Sequence, residues 1–478
     1  MRIAFFIPVF IFSLLLAPAS GQVNLRGPAS TGVGGGGAAM IDNLDAMHVN
    51  PATLSAGSRR GRISIGIGQL SAFAGGDLLQ FKYYNTAFTS GNELTDEVAT
   101  EIINDWFGDP SSGDLRSAEF GADAVPLAFA VQFGDWAIGS SVRSRTTTKI
   151  GVSGGWLDLI LVGDEEQRDI PMNADIRLLS TTEFGVAFSK SFASGLVNIG
   201  VAPRYILGNE FSENVFESVA TISADSIVHR FDYLSRAAGG LGTRVIDNLS
   251  FFSPSVLENE SYSPSFLGGA GAGYGLDLGV VVKASPGIRI AASVTDIGSI
   301  TWDQDAETAR PANNEFRFDG LNLDLDRLDD EYNGDIVDYA QDVLDSLARG
   351  AYEEVIRETG SFTSKLPTAF HIGGRISATR KLMVVGGSSM SLNKEAGNVA
   401  SQPSLHVGAE YLLGGAIGLP IRGGVHVGGS GAFAVAGGFG LRTPVYDFDI
   451  GFIVTPRTDI AGAGGRYAIS LSLANIRI

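Results

Sequence analysis

The sequence predicts an all-β fold, a transmembrane antiparallel β-barrel of about 14 strands, within a range of roughly 12 to 16, that carries a few short helices. Three observations predict it. The chain opens with an export signal, it has no later apolar run long enough for a membrane-crossing helix although 44% of its residues are hydrophobic, and alternating segments recur from Arg62 onward. Because only helices and closed barrels satisfy every backbone hydrogen-bonding group in hydrocarbon, any membrane span must consist of strands.

Residues 1–21 have the features of a signal peptide. Met1-Arg2 precedes an apolar stretch over 3–17, and the small residues Ala19 and Gly21 fit cleavage after Gly21. The apolar stretch is about 15 residues, short of the roughly 20 that a membrane helix needs. We therefore expect export through a cleaved signal peptide and a final location among the lipids of a Gram-negative outer membrane.

Composition excludes several classes of function. Glycine occurs 63 times in 478 residues, about twice the usual share of roughly 7%, which suits tight hairpins and close strand packing. The absence of cysteine excludes disulfide scaffolds, thiol catalysis and thiolate metal sites. A formal net charge of −18 argues against a nucleic-acid partner.

The first part of the mature chain, residues 22–56, is rich in glycine and leads to Asn50-Pro51-Ala52. It predicts a compact segment before the first strand. Its glycine run matches the dinucleotide-binding pattern only formally, because no strand precedes it and no βαβ unit surrounds it.

The remainder, residues 57–478, alternates like barrel strands. Ile63, Ile65 and Ile67 lie on one face of the first strand, with small residues between them. A second strand is predicted over 78–88, and about six strands over 366–478, the last of which includes residues 467–474. Hairpin turns are predicted at 134–135, 193–195 and 285–287.

Three excursions interrupt the strands, at about 92–120, 211–273 and 301–365, the last two being too long for ordinary hairpin loops. Leu94, Val98, Ile102 and Trp106 recur every four residues and predict an amphipathic helix over 92–106. Its acidic polar face favours packing on the barrel end or inside the lumen rather than on a membrane surface. A second helix signal lies within 336–355.

A soluble β-sandwich or propeller would show the same alternation with its apolar face turned inward. A solvent-exposed face should then carry many Lys and Glu residues. Here the non-apolar faces consist mainly of Gly, Ala, Ser and Asn, which favours the barrel.

The Gly-rich stretch ending in Asn50-Pro51-Ala52 resembles the start of FadL-type outer-membrane proteins and of the related PorV-like proteins. A closer resemblance is to a branch of this superfamily described only as a domain of unknown function. It rests on five motifs: Tyr274-Gly275-Leu276-Asp277-Leu278-Gly279, Thr295-Asp296-Ile297-Gly298 with Trp302, Gly320-Leu321-Asn322-Leu323-Asp324, Leu344-Asp345-Ser346-Leu347 and Leu366-Pro367.

This resemblance implies that residues 22–56 enter the barrel as a plug. FadL-type members carry hydrophobic compounds across the outer membrane and release them laterally, whereas PorV-like members serve secretion or surface attachment. It also implies insertion by the barrel-assembly machinery, although the chain ends in Ile478 where such proteins usually end in an aromatic residue. No ligand-binding residue is carried over from the family.

Each pattern that could indicate a catalytic or metal site lacks a feature that such a site requires. Residues 151–155 match a nucleophile elbow, but residues 156–162 are expected to be extended where the elbow needs a helix. Residues 329–335 resemble a calcium loop, yet Ala340 replaces the bidentate Glu at its twelfth position. The five histidines show no metal-binding spacing, and those at 371, 406 and 426 are expected to face the lumen. We therefore expect neither an enzyme nor a cofactor.

Asp277 and Asp296 lie within predicted strands. An ionised carboxylate facing lipid would cost on the order of a few kcal/mol, so both should face the lumen. Together with Asn50 and Pro51 of the plug, they are the predicted lumen-lining or plug residues. Each aspartate either bonds to plug and lumen groups or lines a path for a solute.

Two functions remain open at this point. The first is a passive channel or transporter for small or hydrophobic molecules. The second is an outer-membrane anchor, or a scaffold for assembly or secretion, that holds a partner protein through the excursions.

Overall fold

The computed structural model is a closed antiparallel barrel that encloses the N-terminal segment. It describes residues 27–35, 37–40, 44–56, 63–78, 95–162, 168–223, 225–240, 269–319, 354–395, 403–429, 431–455 and 465–478, together with residues 328, 331, 332, 339 and 346.

Fourteen strands form the wall, which confirms the predicted fold class and strand number. Strands are numbered here in chain order over the described residues. The wall consists of β1 (Ile63–Gly76), β2 (Leu115–Phe133), β3 (Trp136–Ser153), β5 (Ala174–Phe192), β6 (Val197–Ser223), β8 (Gly271–Ser285), β9 (Ile288–Trp302), β14 (Ala369–Ser377), β15 (Leu382–Ser391), β16 (Ser404–Gly414), β17 (Gly418–Gly428), β18 (Gly431–Arg442), β19 (Tyr446–Val454) and β20 (Gly465–Arg477). Six further strands are β4 (Arg168–Pro171), β7 (Ser226–Ala238), β10 (Glu307–Pro311), β11 (Glu315–Phe318), β12 (Val355–Thr359) and β13 (Phe362–Lys365).

The barrel closes where its first and last strands meet. β1 pairs antiparallel with β2 on one side and with β20 on the other. Backbone hydrogen bonds of 3.0 and 2.9 Å between Ile63 and Ile478 complete this seam. Closure leaves the wall without an unpaired strand edge, as a membrane barrel requires.

The two ends of the barrel differ. Connections of two to four residues join β2 to β3, β5 to β6, β8 to β9, β14 to β15, β16 to β17 and β18 to β19 at one end, called here the short-turn end. The turn between β2 and β3 contains only Gly134 and Asp135, with Gly134 at a φ of 57° that suits a tight hairpin. The opposite end carries the longer connections, together with the two-residue connection between β17 and β18, and is called the long-loop end.

The outer surface of the wall is apolar. Alternate residues project large side chains outward, such as Ile67 at 47% exposure and Val407 at 56%. A continuous surface of this kind is stable against lipid and would be unfavourable in water. No helix in the described ranges is long and apolar enough to cross a membrane.

Short helices lie at two places. Within the N-terminal segment are α1 (Pro28–Gly32), α2 (Ala46–Val49) and α3 (Thr53–Ala56). At the long-loop end are α4 (Asp96–Phe107) and α5 (Gly155–Leu161).

The amphipathic helix predicted over 92–106 corresponds to α4. The Thr95 side chain accepts a hydrogen bond from the Val98 N–H at its N-terminus. The buried face contains Ala99, Ile102 and Ile103, whereas Val98, expected on that face, is 37% exposed. The Trp106 indole N–H donates to the Leu78 carbonyl at 2.8 Å and ties the helix to the end of β1.

Residues 156–162 are not extended, as the sequence suggested, because 155–161 form α5. A short apolar run fits either structure by periodicity alone. Trp156 and Leu159 pack against Ile170 and Met172, so burial against β4 decides for the helix.

Strands enter all three predicted excursions, and in the interval 92–120 the strand is the start of β2 at Leu115. The interval 211–273 begins with the last part of β6, which is 27 residues long, and contains all of β7. A membrane crossing needs only about 9–11 residues, so β6 runs far beyond the membrane, where β7 pairs with its residues 211–223. β10 and β11 pair with β7 in turn, which places part of the interval 301–365 in this outer sheet.

Several sequence predictions fall on residues outside the description. The strand expected over 78–88 lies outside it except for Leu78, and the two neighbours of β1 in the wall are β2 and β20. Of the helix signal within 336–355, the structure describes residues 339, 346, 354 and 355, and Val355 begins β12. The C-terminal region 366–478 contributes seven wall strands rather than about six.

Candidate functional site: the plug and the charged clusters of the lumen

The described residues of the segment 27–56, called the plug from here on, lie inside the barrel. Val33, Ala52 and Ala56 have no exposed surface, and Val49 is 1% exposed. Two cavities of about 10 Å³ each border the plug, each about the size of a single water. The plug is therefore closely packed against the wall around it.

Inward-facing glycines of the wall make this packing possible. A Cβ atom built on Gly200 of β6 would lie 2.2 Å from the Ala52 nitrogen, and one on Gly424 of β17 would lie 2.3 Å from the Val33 oxygen. Such distances are shorter than any side chain tolerates, so the plug backbone occupies the space where side chains would stand. The same holds at two other wall glycines, Gly408 and Gly451, whereas at Gly279 the Asn50 side chain occupies this space.

Asn50 and Pro51, the predicted plug residues, lie against β6, β8 and β9. The Asn50 amide nitrogen donates to the carbonyls of Ala38, Val280 and Ala292 at 3.1, 3.2 and 3.3 Å. Its amide oxygen accepts from the Ala52 N–H at 3.1 Å. Pro51 packs over Gly200 and Gly279. One buried side chain thus joins two parts of the plug to two wall strands.

Other hydrogen bonds attach the two ends of the plug to opposite parts of the wall. Near its start, the Thr31 and Ser470 hydroxyl oxygens are 2.8 Å apart, and the His426 Nδ1 donates to the Gly34 carbonyl at 2.6 Å. Near its end, the Ser55 and Ser189 hydroxyl oxygens are 2.6 Å apart.

A buried charged cluster lies between the plug and the long-loop end. We call it the long-loop cluster, and it consists of Asp123, Arg143, Arg145, Glu183, Arg204, Asp277 and Asp296. Arg145 binds Asp296 through both terminal nitrogens, at 2.9 and 3.1 Å. Arg204 contacts Glu183 at 2.5 Å and both Asp277 and Asp296 at 2.8 Å. Arg143 pairs with Asp123.

Asp277 and Asp296, the predicted lumen residues, are therefore both ligands of Arg204. They are 1% and 4% exposed. The Asp296 N–H donates to the Asp277 Oδ1 at 2.7 Å, at an irregularity in the pairing of β8 with β9. Asp296 adopts a φ of 60°, a left-handed conformation that Asp tolerates better than most residues.

A second cluster lies between the plug and the short-turn end. We call it the short-turn cluster, and it consists of Glu410, Arg422, Arg442, Asp447, Asp449 and Arg477. Arg422 donates to Glu410 at 2.8 Å and to Asp449 at 2.6 Å, and Arg442 contacts Glu410 at 3.1 Å. Arg477 pairs with Asp447.

The two clusters lie on opposite sides of the plug along their strands. On β8, Asp277 is nearer the long-loop end than Gly279, which contacts Asn50. On β17, Arg422 is nearer the short-turn end than Gly424, which contacts Val33. The same order holds on every wall strand that carries both a cluster residue and a plug contact described above.

Two other candidate residues, Ser153 and His371, have structural partners. The Ser153 hydroxyl donates to the Pro171 carbonyl and accepts from the Asn173 N–H, at 2.9 and 2.8 Å, so it braces a loop. His371 lies between the Thr295 and Ser389 hydroxyls, at 3.2 and 2.7 Å. Within the described ranges, no group of three acidic or histidine side chains could hold a metal ion. The calcium-like run 329–335 is described only at residues 331 and 332.

Sequence reasoning missed the other five residues of the long-loop cluster and all of the short-turn cluster. Arg143 and Arg145 alternate with small residues on β3, a spacing that already places both on one face of a strand. Since an arginine facing lipid is unfavourable, this spacing alone could have assigned them to the lumen. Glu183 and Arg204 stand singly in apolar strands and carry the same signal.

Fold and interior together define a plugged transmembrane β-barrel of the outer-membrane type. The chain belongs to the family of unknown function DUF5723, whose model matches residues 51–430. This confirms the branch that the sequence motifs indicated. A search of proteins with curated functions finds no match.

The chain is similar in fold to solved FadL-type proteins. The toluene transporter TbuX of Ralstonia pickettii matches with a TM-score of 0.45 and 13% identity over 95% of this chain and 99% of that protein. The toluene transporter TodX of Pseudomonas putida matches with a TM-score of 0.45 and 9% identity, over 96% of this chain and 100% of that protein. A FadL homologue of Pseudomonas aeruginosa matches with a TM-score of 0.42 and 10% identity, over 96% of this chain and 98% of that protein.

Proposed function

We propose that this protein is a gated passive passage through the outer membrane for small or hydrophobic molecules, with the plug as its gate. The observation that carries the proposal is the way the lumen is filled. A barrel of about eight strands fills its interior with the side chains of its own wall. This wall has 14 strands and is occupied by a separate segment seated on glycines.

A plug of this kind is suited to movement. Glycine contacts hold the plug by shape and van der Waals packing, and these contacts re-form without a covalent step. The hydrogen bonds to the wall are made by individual side chains, among them Thr31, Asn50 and Ser55 of the plug. Arg375 of the wall also donates to the Met40 carbonyl in the middle of the plug, at 3.4 Å. Movement of a solute would follow its concentration gradient.

The test uses the absence of native cysteine, because any disulfide is then the engineered one. Two pairs lock the plug to the wall: Thr31→Cys with Ser470→Cys, and Ser55→Cys with Ser189→Cys. Their side-chain oxygens are 2.8 and 2.6 Å apart in the native chain. The matched control is Thr146→Cys with Ser180→Cys, whose oxygens are 2.9 Å apart between β3 and β5, away from the plug.

Two probes distinguish the solute class. Swelling of protein-containing liposomes in arabinose reports small polar solutes, and uptake of N-phenyl-1-naphthylamine by whole cells reports apolar ones. We expect at least one signal to exceed that of a protein-free control, to fall when the plug locks are oxidised and to return on reduction. The wall control should not respond to oxidation. Signals no higher than the background, or unaffected by the locks, would overturn the proposal.

One observation favours a second candidate function. The outer sheet of β7, β10, β11 and β12 extends the wall beyond the membrane on one side only. A passage does not require it, whereas a scaffold that holds a partner protein would. Deletion of 303–358 should then abolish co-purification of that partner while solute uptake stays at the protein-free level in every variant.

A further inference from the structure

Arg466, the second residue of β20, is a buried cation that contacts no carboxylate of the described residues. Its side chain is fully buried. Within the described ranges, this side chain makes one hydrogen bond, from Nη2 to the Gly428 carbonyl at 2.7 Å. Its Nε and Nη1 have no hydrogen-bond partner in the part of the chain that the structure describes.

Arg466 differs in this respect from the other buried arginines of the described chain. Those at 143, 145, 204 and 422 each contact at least one carboxylate at 4.0 Å or less. A guanidinium remains charged in proteins. A buried charge is strongly unfavourable unless it is paired, so an anion is expected to accompany Arg466.

We infer that Arg466 is the centre of an anion-binding site inside the barrel and that its ligand is a small monovalent anion such as chloride. Because the Arg466 guanidinium carries one positive charge, a monovalent anion would neutralise it. Both unpaired nitrogens are sealed from solvent, with less than 1 Å² exposed on each, which restricts the ligand to a compact ion.

The neighbours of Arg466 supply one polar side and one apolar side. The Thr455 hydroxyl oxygen accepts from the Arg466 backbone N–H at 2.9 Å, which leaves its O–H available as a donor. Ala468, the next inward residue of β20, packs with Phe73, Ile453 and Ala434. Apolar surroundings disfavour strongly hydrated multivalent anions, since these would lose more hydration energy on entry.

The site also lies beside one anchor of the plug. The Arg466 side chain reaches from β20 to Gly428 of β17, past β18 and β19. On the same strand, His426 donates from Nδ1 to the Gly34 carbonyl of the plug. An anion at Arg466 would therefore stabilise the region of the wall where the plug begins.

The experiment measures thermal unfolding of the purified full-length protein in detergent, in sodium gluconate that is replaced stepwise by sodium chloride at constant sodium. A ligand that binds only the folded state raises Tm saturably. We expect a rise on the order of 2 °C for the native protein and none for Arg466→Gln. Arg230→Gln, which alters an exposed arginine, should keep the native response.

A second measurement does not depend on any variant folding. Crystals of the native protein grown in sodium bromide should show anomalous bromide density in contact with Arg466 Nε or Nη1 and the Thr455 hydroxyl. The inference is overturned if no bromide lies there, or if Arg466→Gln responds to chloride as the native protein does.

Discussion

The two halves of the barrel wall differ in length. The wall strands from β2 to β9 are 15 to 27 residues long, whereas the wall strands from β14 to β19 are 9 to 12 residues long. Since about 9–11 residues cross a membrane, the second half is little longer than the membrane and the first extends beyond it. The long half carries the outer sheet and the long-loop cluster.

The interior differs in the same way. The long half holds its charged cluster between the plug and the long-loop end, and the short half holds its charged cluster between the plug and the short-turn end. Glycines contact the plug in both halves. The comparison teaches that the plug is positioned by shape all around the wall, while one charged cluster borders it on one side in each half.

The largest expected effect tests whether the two clusters are equally important. Arg204→Met leaves Asp277 without its arginine and should cost about 3–5 kcal/mol of unfolding free energy, as the loss of one partner of a buried ion pair does. Arg422→Met should cost less, because Glu410 keeps its contact with Arg442 and because Asp449, which loses its arginine, has a side chain 11% exposed against 1% for Asp277. Urea unfolding in lipid vesicles measures both, and a larger loss for Arg422→Met would contradict the comparison.

The next effect tests the seating by glycine. Gly424→Val inserts a side chain where the Val33 oxygen lies and should cost about 1–3 kcal/mol through overpacking. Gly423→Val is its matched control, because the nearest atom to a Cβ there is 4.0 Å away. Oxidative cross-linking of Thr31→Cys with Ser470→Cys should fall in the first variant and not in the second. Equal cross-linking would show that the plug is not held by this glycine.

A smaller effect separates the two anchors of the plug. Asn50→Ala removes donors to two carbonyls of the long half and should cost about 1–2 kcal/mol. His426→Ala removes one bond to the Gly34 carbonyl in the short half and should cost about 1 kcal/mol.

The yields of the two engineered disulfides, 31–470 and 55–189, show which end of the plug each substitution loosens. Asn50→Ala should lower the yield of the 55–189 pair, and His426→Ala that of the 31–470 pair. If either variant lowers both yields equally, the plug moves as one rigid unit and the two anchors are not independent.

The smallest effect concerns the outer sheet. Arg230 on β7 pairs with Glu315 on β11 at 3.0 Å, with side chains 63% and 46% exposed. Exposed ion pairs contribute about 0–1 kcal/mol, so Arg230→Ala should leave barrel unfolding almost unchanged. A loss as large as that of Arg204→Met would mean that the outer sheet is part of the stable barrel.

Much of the wall could be predicted from the sequence because a barrel strand repeats a local rule. Two such local features are the alternation at Ile63, Ile65 and Ile67 and the turn at Gly134-Asp135. Each depends only on residues that are neighbours in the sequence. The sequence predictions were wrong where the alternation of apolar and small residues is lost. Residues 208–214 of β6 are buried on both faces, so they lose the alternation that marks a membrane strand. The apolar residues of α5 fit a strand or a helix equally well.

The sequence by itself determined the class of fold and that the charges of Asp277 and Asp296 need a place away from lipid, because burial of charge in hydrocarbon is unfavourable in any context. Only the tertiary structure decided their partners, since Arg145 and Asp296 are 151 residues apart and meet through barrel closure and strand register. It also decided the meaning of the glycines. Composition shows their excess, but the plug backbone that fills the space beside Gly200 and Gly424 comes from a distant segment.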